Sequence, residues 1–82
     1  MNDPRGIEIA ELHKKYILQS WGKAGQDVLP VERAKGIYFW DYDGKRYADM
    51  ASLLVCSNLG HSLPEIVDAI KEQAEKMWFM AP

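Results

Sequence analysis

Apolar positions recur over the first twenty residues at the spacing of one helical face. Ile9, Leu12, His13, Tyr16 and Ile17 fall at i, i+3, i+4, i+7 and i+8, which predicts an amphipathic helix over about Ile7 to Gln19. Asp3 and Pro4 suit the N-cap and the first helical position. Lys14 and Lys15 lie at the end where the helix dipole favours cations. Gly22 is expected to break the helix, and Ser20 to Pro30 reads as a loop. The pattern then changes period. Val31 to Ala34 reads as a short strand, Gly36 as a turn or bulge, and Ile37 to Trp40 as a β-branched and aromatic strand. Asp41 to Gly44 carries turn chemistry, and Arg46 to Met50 returns as the partner strand. Leu53 to Cys56 is a candidate for one more strand.

The final element has the most regular pattern. Ser62 and Glu65 fit a capping box, with Pro64 in the first turn, where its missing amide costs nothing. Leu63, Ile66, Val67, Ile70, Ala74 and Met77 form an apolar stripe, and Glu65, Asp68, Lys71, Glu72, Glu75 and Lys76 cover the opposite face. A helix is expected over about Leu63 to Lys76. The fold class is therefore α+β: a helix, a small antiparallel sheet of three to four strands, and a helix.

Length and composition narrow the function. The chain has 82 residues, enough for one domain with a thin core. Its 48% hydrophobic and 27% charged content is that of a globular protein. The net charge of -2, with basic residues only paired at Lys14-Lys15 and Lys45-Arg46, argues against nucleic acid or an anionic membrane as partner. The apolar run Met50 to Cys56 is far short of the ~20 residues of a membrane helix, and Met-Asn-Asp-Pro-Arg is no secretory signal. A single cysteine, Cys56, excludes an internal disulfide and fits a reducing, cytoplasmic setting. The apolar run Met77 to Pro82 would leave a sticky end, which suggests a piece cut from a longer chain.

Candidate chemistry is sparse. His13 reads as a satisfied packing histidine on the first helix. His61 follows Gly60 and precedes a helix N-terminus, where it could face an anion or, the better reading, hydrogen-bond the loop. A metal site of His13, Cys56 and His61 lacks ligand spacing, so no metal is expected. Cys56, in an apolar run, is expected to be buried and inert. Asp41 and Asp43 suit turn formation better than acid–base work. Gly22 and Gly25 lack the strand–turn–helix context of a phosphate loop. Trp21 is either a core plug or the wall of a pocket.

The run Gly36-Ile-Tyr-Phe-Trp-Asp-Tyr-Asp-Gly-Lys-Arg-Tyr-Ala-Asp49 adds what these residues singly do not. Followed by Asn58-Leu-Gly-His-Ser-Leu-Pro64 and then Glu65 to Lys76, it closely resembles the N-terminal region of class III aminotransferases, pyridoxal-phosphate enzymes of fold type I. The likeness reaches upstream through Ser20-Trp21 and Leu29 to Ala34, and downstream to Ala81-Pro82. The motif positions are Gly60, His61 and Pro64.

The resemblance implies that residues 1–82 are one N-terminal segment of the small domain, with the large cofactor-binding domain absent from this chain. It implies no catalytic residue here, since the Schiff-base lysine, the pyridine-nitrogen aspartate and the phosphate loop have no counterpart, and neither Lys71 nor Lys76 is that lysine. Pyridoxal 5'-phosphate belongs to the parent enzyme and is not expected on this chain, which alone should be inactive. What carries over is a substrate wall of Leu53, Leu54 and Val55, with Trp21 second; the position matching Leu54 is aromatic in several members. The parent would move an amino group from an amino acid or ω-amine to a keto acid, and homodimer contacts are expected near Met77 to Pro82. The alternative is a non-catalytic association module from a truncated or split gene.

Overall fold

The computed structural model describes residues 2–23 and 25–82, and of 53 and 54 only the backbone. Helix α1 spans Pro4–Tyr16, with Asp3 as N-cap accepting from the Arg5 amide and Pro4 in the first turn, as the sequence predicts. It ends earlier than expected. Ile17 leaves in an extended conformation that any residue can adopt, so Gly22 is not needed as a breaker and plays no part in the C-cap.

Three strands follow, β1 (Val31–Lys35), β2 (Tyr38–Asp41) and β3 (Arg46–Ala48), antiparallel in the order β1-β2-β3. A bulge interrupts the β1–β2 ladder between Val31 and Arg33. Gly36 turns β1 into β2 at a φ of 61°, and Gly44 turns β2 into β3 at 84°, values that glycine adopts at no steric cost. Asp41 closes the second turn: its Oδ1 accepts from the amides of Asp43 and Lys45, and its Oδ2 from the Tyr47 hydroxyl. The sheet has two unlike faces. Phe39 and Tyr47, directly opposite each other, stack at 5.0 Å. On the other face Arg33 lies 3.7 Å over Trp40, and Arg46 lies 4.3 Å over Tyr38.

The expected strand at Leu53–Cys56 is instead a single helical turn, α2 (Ser52–Val55). Its amide bonds run within the segment, from Val55 to Ala51 and from Cys56 to Ser52, and none goes to the sheet. Apolar composition alone does not separate a buried strand from one turn of helix. Helix α3 spans Pro64–Lys76, close to expectation, but the capping box does not form. Ser62 sits at a φ of 55°, and its hydroxyl donates to the Ala34 carbonyl of β1 at 2.7 Å. Leu63 takes the N-cap position without a side-chain bond, and Glu65 remains in the first turn, where the dipole favours it.

The N-terminus of α1 is tied to the β2–β3 turn. The Asp43 carboxylate accepts from the amides of Asn2 and Asp3 at 2.7–3.1 Å. Burial among the described residues falls on Gly6, Pro30 and Asp41 alone, so apart from Pro30 no described apolar side chain is buried. No helix among them is long and apolar enough to cross a membrane.

Candidate functional site

The segment from Met50 to Gly60 leaves the sheet after β3 and returns just before α3. Its two ends meet at the β1–β2 turn. Gly36 and His61 exchange both backbone bonds, at 3.0 and 2.8 Å, and the Asp49 amide donates to the Ile37 carbonyl at 2.7 Å. The side chains meet as well: His61 Nε2 lies 2.6 Å from Asp49 Oδ2, with the two side chains only 10% and 7% exposed. The other oxygen, Oδ1, accepts from the Ala51 amide at 3.2 Å. His61 thus stabilises the loop by hydrogen bonding, the preferred of its two readings. Gly60, at a φ of 89°, lets the chain pass Gly36, because an added Cβ would lie 3.4 Å from the Gly36 backbone.

Beyond this base the segment is apolar and open. Met50 is 91% exposed, Val55 79% and Leu59 69%. A depression of 370 Å³ runs beside it, lined by residues from Cys56 to Ser62 and by Ile66 of α3. Cys56 is exposed in this depression, not buried, because the segment carrying it forms a turn outside the sheet.

The residues expected to form a substrate wall are placed unevenly. Val55 ends α2 and is exposed; the side chains of Leu53 and Leu54 lie outside the described residues. Trp21 is 85% exposed in the α1–β1 connection, so it plugs no core in this chain. Gly60 and His61 line one depression, and Pro64 opens the helix beside it. His13 packs beside Ile9, Leu12, Tyr16 and Ile17 as expected. It is not satisfied, however, for its Nε2 is buried with no hydrogen-bond partner among the described residues. The sequence reading missed Asp49 as the partner of His61. The available signal was a carboxylate directly after a strand, where a half-buried histidine needs an acceptor.

The residues present do not fit a pyridoxal cofactor. A lysine that forms an imine is activated by desolvation or a neighbouring cation. All seven lysines here are exposed, and Lys14 and Lys76 pair with Asp27 and Glu72. Gly22 makes no cradle either, since a Cβ there would already meet the Gln26 side chain.

Residues 21–82 match the family described as aminotransferase class-III. The chain is 43% identical over 67 residues to acetylornithine aminotransferase of Methanocaldococcus jannaschii, covering 82% of this chain and 16% of that protein. It is 40% identical over 76 residues to mitochondrial ornithine aminotransferase of Rattus norvegicus, covering 90% of this chain and 16% of that protein. Among solved structures, taurine:2-oxoglutarate aminotransferase from Bifidobacterium kashiwanohense, in complex with PLP and glutamate, matches the whole chain. The identity is 68% and the TM-score 0.82, over 18% of that structure's chain. A transaminase from the marine bacterium Virgibacillus matches at 29% identity and a TM-score of 0.75, over 90% of this chain and 18% of that one. The chain thus spans about a sixth of the length of the curated relatives just described.

Proposed function

The chain belongs to the class-III aminotransferases, and from that premise we propose that it is the first segment of the small domain of a pyridoxal-phosphate-dependent enzyme, supplying part of the substrate wall and contacts across a homodimer. The observation that carries this reading is the 68% identity, over the whole chain, to the taurine:2-oxoglutarate aminotransferase. On that ground the amino donor is a short ω-amino acid of the taurine type and the acceptor a 2-oxo diacid. The cofactor, held by the rest of the polypeptide, supplies the electron sink for nitrogen transfer.

This chain's own contribution is shape. Leu53, Leu54 and Val55, with Trp21, are the residues assigned to the wall beside the donor's carbon chain, where apolar surface excludes water. Ile70, Met77 and Trp78, exposed at 63%, 49% and 86%, are assigned to assembly. The setting is cytoplasmic, and neither nucleic acid nor membrane is a partner. The same exposed surface also suits the rival reading, a non-catalytic association module, so activity must separate the two.

The test is transamination by the complete protein with taurine and 2-oxoglutarate. Glutamate should form, and Leu54→Trp should lower kcat/KM for taurine roughly tenfold, the size of effect that a pocket misfit produces. Absence of turnover with any ω-amino donor would remove the enzymatic reading. Turnover indifferent to Leu54→Trp would remove the wall.

A further inference from the structure

We propose that Asp49 and His61 form a latch that fixes the loop from Met50 to Gly60, and with it the substrate wall, in the geometry that donor binding requires. They are positioning residues, and the proposal rests on the wall reading above.

The Asp49 carboxylate joins the two ends of the loop. Its Oδ1 takes the Ala51 amide, at the loop's start, and its Oδ2 meets His61 Nε2, just past the loop's end. Both side chains are about nine-tenths buried, and in such surroundings a hydrogen bond is stronger than in water. Removing either side chain deletes this buried bond across the loop's base. The backbone bonds between Gly36 and His61 and from Asp49 to Ile37 lie in the same layer.

The loop above the latch needs such a restraint. Ser52 and Val55 stand at φ values of 50° and 62°. That region is uncommon for any L-residue and an outlier for a β-branched one. Strain of this kind persists only where the surroundings over-determine the backbone, and it gathers at ligand-binding segments. Among the loop's described apolar side chains, Met50, Val55 and Leu59 face solvent and add little restraint. The restraint is therefore at the base, where the buried pair sits.

The experiment uses the complete, cofactor-loaded enzyme. Asp49→Asn preserves size but loses one acceptor oxygen. It should raise KM for taurine roughly tenfold, as loss of binding shared by ground and transition state does, with a smaller effect on kcat. Amide exchange should quicken in residues 50–60 and stay unchanged in 64–76. His61→Gln, which keeps a donor, should recover most of the donor KM, and His61→Phe should not. An unmoved donor KM in Asp49→Asn, or exchange that quickens equally in both segments, overturns the latch. Failure of the wall reading looks different: Leu54→Trp then leaves turnover unchanged, and confinement of the faster exchange to residues 50–60 still decides whether the latch holds the loop.

Discussion

Burial disfavours the charged Asp41 carboxylate, yet the bonds it accepts from the Lys45 amide, the Tyr47 hydroxyl and the Asp43 amide hold its pKa below the ordinary 3.8. Asp3 is lowered in the same sense by Arg5. As pH falls the unfolded chain binds protons first, so stability rises with pH in this window. The contribution is whole above pH 3.8 and is lost as pH drops through the depressed value. A series of urea midpoints should therefore fall below about pH 4, with a shallower fall in Asp41→Asn. Tyr47 goes the other way. Burial, then its bond to Asp41, raises its pKa above 10.0, so stability is lost as pH climbs past that value. Gly60 gives a second prediction at this scale. With its φ of 89° and the Gly36 backbone 3.4 Å from any added Cβ, Gly60→Ala should cost about 1–2 kcal/mol, read from the denaturant midpoint. The turn roles of Asp41 and Gly44 were legible because turn chemistry is local. The Asp49–His61 pair was not, because its partners lie twelve residues apart and only the fold brings them together.

The helices show the same division between local and tertiary control. The start of α1 was legible because Asp3 and Pro4 act on their own first turn, and α3 because its period and Pro64 define it. Ser62 was misread for a physical reason: the Gly36–His61 bridge draws it to the sheet, where Ala34 takes its hydroxyl. The expected strand at Leu53–Cys56 was misread because a short apolar run does not separate a strand from one turn of helix, and the segment closes its amide bonds on itself at Ala51 and Ser52. Docking of α1 is also a tertiary matter. Asp43→Ala would leave the amides of Asn2 and Asp3 without their carboxylate, and exchange in the first turn of α1 should quicken about tenfold. Unchanged exchange there would mean that the carboxylate does not hold the helix to the hairpin.

Taken whole, the molecule exposes more surface than a compact domain of its size does. Its accessible surface is 7133 Å², against ~5,000 Å² for a compact monomer of this mass. Its radius of gyration is 15.1 Å, against about 12 Å for a compact chain of this length. The difference of roughly 2,000 Å² is the size of a substantial protein interface. The chain should therefore associate, and sedimentation should show a mass that rises with concentration, a rise suppressed by combining Ile70→Lys with Trp78→Lys. A monomer at every concentration would contradict this.

On the reading proposed above, this segment lends shape and assembly surface to an aminotransferase whose cofactor is held elsewhere. The most direct measurement is the visible absorbance of the 82-residue chain titrated with pyridoxal phosphate. The expected result is the spectrum of free cofactor at every ratio. A new band that saturates with one equivalent, and disappears when one of the seven lysines is replaced, would contradict the account.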